Sequence, residues 1–123
     1  MNRKEKIELY FKSWLQKKDE CFDDIFSKEI TYYECYGPFY HGLETLHKWF
    51  QDWQRFGSVL EWEIRDYIES GNQAVVTWYF HSVYEGEEDA FDGVSIIRFD
   101  ENEHIIELKE YQSTLPHTEI QLK

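Results

Sequence analysis

Two glutamates, Glu34 and Glu110, are the side chains of this sequence best suited to moving a proton. Glu34 opens the stretch ECYGPFYHG, residues 34–42, where aromatic rings, a thiol and an imidazole surround a Gly-Pro pair. Glu110 lies in ELKEYQ, and strand alternation places it on the same face as Ile106 and Leu108. Desolvation on an apolar face raises the pKa of a carboxyl, which suits a general acid or base near neutral pH. For Glu110, an internal hydrogen bond to a tyrosine or tryptophan is the structural alternative.

Aromatic side chains in the strand-like segments predict a pocket around these carboxyls. In AVVTWYF, alternation turns Val76, Trp78 and Phe80 inward and leaves Tyr79 outside. In FDGVSIIRF, it turns Phe91, Ser95, Ile97 and Phe99 inward. The candidate ligand-binding residues are Tyr36, Trp62, Trp78, Phe80, Ser95 and Gln112. Apolar walls with a few convergent polar groups are typical of a small-molecule site, although core packing is the alternative for each ring. A one-residue bulge would reverse any of these inward sets.

The elements that must position these side chains change from helical to extended along the chain. Residues 4–17, a short segment after Asp19 and the segment after Gly42 carry apolar residues at helical spacing. EITYYECY predicts a first strand that ends at the Gly37-Pro38 corner, with Cys35 facing away from Glu34. From residue 58 onward, four extended segments alternate between turns, and the first of them has Leu60, Trp62, Ile64 and Ile68 on one face. Three helices followed by an antiparallel meander predict an α+β fold.

Length, charge and cysteine content indicate the number of domains and argue against some classes of partner. The length of 123 residues predicts one domain, residues 1–123, and 19% of the residues are aromatic. The formal net charge of −12 argues against nucleic acid and anionic membranes as partners, because both are bound through clustered Lys and Arg. No apolar signal region or membrane-length apolar window is present. Cys21 and Cys35 follow no disulfide or zinc spacing, so we expect a cytoplasmic protein with reduced thiols.

Other chemistries find no support in the motifs. The six glycines stand singly at turns, which gives neither a phosphate loop nor a dinucleotide fingerprint. His41 and His47 lack the spacing of a metal-binding pair, and no cysteine pair joins them. The sequence therefore predicts neither a cofactor nor a metal.

The middle strands point to a partner. AVVTWYF and VSII are apolar without alternating, although an antiparallel sheet with one solvated face should alternate. The helices can cover one face, and nothing else in the chain is left to cover the other. A homodimer through the sheet is the simplest prediction.

The order of these segments resembles a known family. The chain resembles the SnoaL-like branch of the nuclear-transport-factor-2-like superfamily. The segments that carry the resemblance are, in order, a helix, KKDE, a short helix, ITYYECYGPFYHGLETLHKWF, VLEWEI, AVVTWYF, FDGVSIIRFD and HIIELKEYQ. The resemblance implies a cone-shaped α+β barrel, with a strongly curved antiparallel sheet around a helix, a pocket at the wide end and dimerisation through the sheet. Members include ketosteroid isomerase, polyketide cyclases, dehydratases, epoxide hydrolases and non-catalytic binders, so the fold leaves the chemistry open.

Ketosteroid isomerase tests the resemblance residue by residue. Glu34 comes nearest to the place of its base carboxylate, allowing a one-residue shift. That enzyme has two side chains that donate hydrogen bonds to the oxyanion. At the place of the first donor this chain has Phe11, with Tyr10 one residue off the facing stripe, and at the place of the second it has Ser95. Without those donors, isomerisation by that mechanism is not expected. We therefore expect a protein that binds a small, largely apolar molecule. The alternative is a cofactor-independent isomerase, dehydratase, cyclase or hydrolase that uses Glu34 or Glu110.

Overall fold

Three helices and six strands build the protein, and a computed structural model describes residues 1–122. The helices are α1 (Arg3–Gln16), α2 (Phe22–Ile25) and α3 (Leu43–Gln54). The strands are β1 (Phe26–Tyr33), β2 (Phe39–His41), β3 (Gly57–Ser70), β4 (Gln73–Tyr84), β5 (Glu87–Phe99) and β6 (Ile105–Thr114). They form one open, curved sheet in the order β2-β1-β6-β5-β4-β3. The α+β prediction is confirmed.

Helix α1 is bounded by strong local signals. Asn2 caps its first turn, and Asn2 and Glu5 exchange hydrogen bonds as a capping box. Lys17 ends the helix in the left-handed conformation, with φ of 58°. The buried stripe includes Phe11 and Trp14, which pack α1 against the inner face of the sheet.

The sheet contains the predicted meander together with one parallel pair. Strands β3 to β6 are antiparallel neighbours, as expected. Strand β1, however, pairs parallel with β6 and antiparallel with β2, so the sheet as a whole is mixed. The chain between β1 and β6 runs through α3 and three strands, and such a long connection permits a parallel pair. Strand β2 has three residues, too few to show a period.

The inner faces of β4 and β5 follow the predicted alternation. Val76, Trp78 and Phe80 are at most 9% exposed, and so are Phe91, Ser95, Ile97 and Phe99. Because β4 pairs with β5 without a register shift, period-two alternation holds along both strands.

Two bulges in β3 overturn part of its predicted inner face. Leu60 and Ile68 were expected inside, but they are 47% and 64% exposed. Val59 and Tyr67 take their places, because the register shifts once between Val59 and Glu61 and again between Ile64 and Asp66. Trp62 lies between the two bulges and keeps its predicted inward direction.

One register shift changes the start of β6 in the same way. Ile106 was predicted to face inward, but Ile105 is the fully buried residue. The shift lies where Phe99 pairs with Ile105. Beyond it, Leu108 and Glu110 are buried on the inner face as predicted.

Candidate functional site

A cavity of about 680 Å³ opens on the inner side of the sheet, between α3, the loop after β1 and the turn between β4 and β5. Its lining is mainly aromatic and includes all five tryptophans of the chain. The aromatic lining residues are Trp14, Tyr32, Tyr36, Tyr40, Trp49, Trp53, Trp62, Trp78, Phe80, Tyr84 and Phe91. The others are Glu34, Cys35, Asp52, Ser82, Glu87, Glu88, Asp89 and Glu110. The volume lies within the usual range of small-molecule sites.

The deep wall is built from rings that hold one another in place. Trp62 stacks on Phe11 with ring centroids 3.9 Å apart and planes 9° apart. The edges of Trp78 and Phe80 meet Trp62 at 5.6 Å and 5.3 Å between centroids. Edge-to-face contacts of this kind favour one arrangement of the rings. This wall is therefore preformed, and its rings serve both the core and the cavity.

Trp78 is held by two residues of the neighbouring strand. Its indole nitrogen donates a hydrogen bond of 2.9 Å to the Ser95 hydroxyl. Its ring lies directly against Gly93, where an added Cβ would stand 2.2 Å from a ring carbon. Only glycine leaves room for the indole at this position. Ser95, predicted to bind ligand, instead anchors Trp78 and does not line the cavity.

Glu110 lies at the end of a buried chain of hydroxyls. Tyr10 donates a 2.7 Å hydrogen bond to the Tyr32 hydroxyl, and Tyr32 donates to the Glu110 carboxyl. Burial raises the pKa of Glu110 to about 8, against the opposing effect of the Tyr32 hydrogen bond. Glu110 therefore has the internal hydrogen bond of the structural alternative and also faces the cavity. Near neutral pH its carboxyl is mostly protonated.

Glu34 reaches the cavity from the loop after β1. Tight backbone bonds shape this loop, with the Glu34 N–H donating to the Pro38 carbonyl at 2.9 Å. The Tyr40 hydroxyl donates to the Glu34 carboxylate at 2.5 Å. Burial raises the pKa of Glu34, and the Tyr40 hydrogen bond lowers it. Two carboxyls thus share one aromatic cavity.

Cys35 also lines the cavity, so the prediction that it faces away from Glu34 is wrong. Strand β1 ends at Tyr33, and alternation no longer applies in the turn that follows. Burial raises the pKa of Cys35 to about 12, which keeps it a neutral thiol.

The rim of the cavity is acidic. Tyr36, which is half exposed, donates a 2.7 Å hydrogen bond to Asp89, and Asp52, Glu87 and Glu88 stand nearby. No lysine, arginine or histidine belongs to the lining formed by residues 1–122. Gln112 is exposed and lies outside the lining, with its amide 3.4 Å from the Cys35 carbonyl.

Comparison with known families matches this fold. The profile of the SnoaL-like domain family covers residues 7–108. The chain belongs to this family. No curated protein matches its sequence.

Solved structures similar to this SnoaL-like chain share its fold at low sequence identity. A protein described as a SnoaL-like polyketide cyclase from Mesorhizobium loti is 22% identical, with a TM-score of 0.70 over 90% of this chain and 99% of that one. An epoxide hydrolase of the LEH-like type from M. tuberculosis is 11% identical, with a TM-score of 0.79 and coverage of 90% and 82%. A Catenulispora acidiphila protein with a ketosteroid isomerase-like fold, solved with trimethylamine, is 16% identical, with a TM-score of 0.73 and coverage of 87% and 84%.

The structure of the SnoaL-like chain brings together six of the eight predicted site residues. They are Glu34, Tyr36, Trp62, Trp78, Phe80 and Glu110, and Ser95 and Gln112 stay outside the lining. Sequence reasoning missed the contribution of α3, because Trp49 and Trp53 fit the apolar stripe of a helix and were not singled out as site residues. It also left Tyr10 off the inner face, although Tyr10 is 1% exposed and begins the hydroxyl chain to Glu110.

Two further structural findings concern metal ions and membranes. Within residues 1–122, no group of three or more His, Cys, Asp or Glu side chains is arranged to hold a metal ion. No helix in that part of the chain is long and apolar enough to cross a membrane.

Proposed function

We propose that this SnoaL-like chain binds a small organic molecule with an apolar body in the cavity of about 680 Å³. The aromatic lining carries the proposal, because a ligand that binds a preformed concave surface of rings removes apolar surface from water, and this lowers the free energy of the complex. Glu34 and Glu110 supply the few polar contacts that orient a ligand.

A fragment screen tests this proposal directly. Because all five tryptophans line the cavity, a bound aromatic or alicyclic fragment should change the emission of the protein. Cys35→Phe adds a ring at the mouth and should weaken binding of the same fragments. Leu60→Phe adds a ring on the exposed side of β3 and serves as the matched control. Failure of every fragment to bind, or equal binding by the Cys35→Phe variant, would contradict the proposal.

A second candidate function is cofactor-independent proton transfer, as in an isomerase, dehydratase, cyclase or hydrolase. It is favoured by one observation: Glu110 lies on the cavity wall, with a pKa raised by burial to about 8. A carboxyl with a pKa near the working pH can both take and give a proton. The names of the similar structures, polyketide cyclase and epoxide hydrolase, agree with such chemistry.

Deuterium exchange distinguishes the enzyme from the binder. A panel of small aromatic ketones in D₂O, followed by proton NMR, reports abstraction of the proton next to the carbonyl. An enzyme of this kind should accelerate exchange in at least one ketone, and Glu110→Gln should abolish the acceleration. Glu107→Gln, on the same strand beside Arg98, is the control and should leave it intact. Exchange at the uncatalysed rate throughout would favour the binder.

We also propose a homodimer through the outer face of the sheet. Helices α1 and α3 pack on the inner side, and the outer side of β4, β5 and β6 carries Val75, Tyr79, Ile96 and Tyr111. Ile96 is 37% exposed and Tyr111 53% exposed, although both lie in the middle of long strands. Light scattering at micromolar concentration should give twice the chain mass, and Ile96→Asp should give the monomer mass. A monomeric parent protein would contradict the proposal.

Location and other partners stay predictions. Cys21 and Cys35 are free, which agrees with reduced thiols in the cytoplasm. The net charge of −12 supports the prediction that the chain binds neither nucleic acid nor an anionic membrane.

A further inference from the structure

Within residues 1–122, every charged side chain that lines the cavity is of the acidic type. They are Glu34, Asp52, Glu87, Glu88, Asp89 and Glu110. The chain as a whole carries a formal net charge of −12, which adds to the negative potential of the site. A carboxylate or phosphate ligand would meet repulsion both on approach and inside the cavity.

Within residues 1–122, the two inner carboxyls lack the basic partners that several surface carboxylates have. On the outside, Arg3 bridges Glu69 and Glu103 at 2.9 Å each. In the part of the chain that the structure describes, Glu34 and Glu110 form no such ion pair. Their side-chain partners are the hydroxyls of Tyr40 and Tyr32. Burial raises the pKa of Glu110, and the nearby charge of Glu34 raises it further, which leaves Glu110 mostly protonated near neutral pH and the uncompensated negative charge on Glu34.

The apolar part of the lining is aromatic rather than aliphatic. No leucine, isoleucine, valine or methionine lines the cavity within residues 1–122, although the buried core contains isoleucine, valine and leucine. Aromatic faces carry negative potential, and tryptophan binds cations more strongly than tyrosine or phenylalanine does. A ring face that is turned to the cavity and a carboxylate therefore present the same sign of potential to a ligand, which an aliphatic side chain would not do.

We infer that the cavity takes an organic cation, a molecule with an ammonium head on an apolar body. The head lies within reach of Glu34 and Glu110, where its positive charge compensates Glu34 and favours the ionised form of Glu110. The body packs against the deep wall formed by Trp62, Trp78 and Phe80. This inference rests on the binding function proposed above and adds the chemical class of the ligand.

A pair of probes that differ only in charge tests the inference. The probes are (3-hydroxyphenyl)trimethylammonium and 3-tert-butylphenol, which have the same shape because carbon replaces the charged nitrogen. Calorimetric titration at pH 7.5 should show the cation binding at least about tenfold more tightly than the phenol. Glu34→Gln should reduce this preference by about fivefold or more, because it removes charge while keeping shape. Glu61→Gln, an exposed residue of β3, is the control and should keep the preference unchanged.

The outcomes separate this inference from the proposed function. Equal affinity for the two probes, or tighter binding of the phenol, would overturn the cation inference and leave small-molecule binding intact. Binding of neutral fragments in the screen above with no binding of the ammonium probe would do the same. If neither probe nor any fragment binds, both proposals fail together. An unchanged preference in the Glu34→Gln protein would refute the placement of the cation beside Glu34.

Discussion

Replacing Glu110 by glutamine should change the way in which the stability of the fold depends on pH. Glu110 is 9% exposed, and burial raises its pKa from 4.5 to about 8. Between these values the folded chain keeps a proton that the unfolded chain has released. Because the pKa of the Glu110 carboxyl is raised in the folded state, the folded state becomes progressively less stable as pH rises through that window.

The size of the effect follows from proton linkage. While one more proton is bound in the folded state, the free energy of unfolding falls by ~1.4 kcal/mol per pH unit. From about pH 5.5 to about pH 7.5, Glu110 should therefore contribute a loss of ~3 kcal/mol. Glutamine has a similar shape and does not ionise, so the Glu110→Gln protein should lack this contribution.

Urea unfolding of the parent and variant at several pH values between 5.5 and 8.5 measures the difference. The free energy difference between the two proteins should change by ~3 kcal/mol across two pH units, in favour of the variant at higher pH. Glu107→Gln, on the same strand but facing outward beside Arg98, should follow the parent curve. Parallel curves for Glu110→Gln and the parent protein would refute the burial argument for this carboxyl.

Three other changes test the packing around the site. Gly93→Ala should cost about 1–3 kcal/mol of stability and alter the near-ultraviolet circular dichroism, because the new methyl meets the Trp78 ring. Unaltered stability would contradict that contact. Tyr32→Phe should cost about 1–3 kcal/mol and raise the pKa of Glu110 further, as carboxyl NMR titration can measure. The two ring nitrogens of His47 lie 2.7 Å from carboxylate oxygens of Asp19 and Asp23. Burial lowers the pKa of His47, but the hydrogen bonds to the two carboxylates raise it by more. His47→Gln should therefore cost about 1 kcal/mol or less in urea unfolding below pH 6.5, and less still at pH 9. An equal cost at both pH values would refute that ion pairing.

The sequence was sufficient for the type and order of most elements, because their periodicity is local. The alternation in β4 and β5 was read correctly, since no bulge interrupts their pairing. The bulges in β3 and β6 left no signal of their own in the sequence. Leu60 and Ile68 alternate with Trp62 as well as core residues would, and only the pairing with β4 shows the shift.

The candidate site was predictable where it depends on strand direction and missed where it depends on tertiary contacts. Trp78 and Glu110 were placed by parity alone. The role of Ser95 depends on an indole from the next strand, and that contact cannot be read from either strand by itself. Tyr10 was missed for a similar reason, since its position one residue from the expected stripe says nothing about its hydrogen bond to Tyr32.

Native mass spectrometry of the protein purified from its own host shows whether the cavity holds a ligand. We expect a retained organic ligand, one per chain, that is released on unfolding. The ligand should be absent from the Cys35→Phe protein and present in the Leu60→Phe protein. A parent protein that carries no organic ligand, or a ligand that stays bound in the Cys35→Phe protein, would contradict the claim that the aromatic cavity is the binding site.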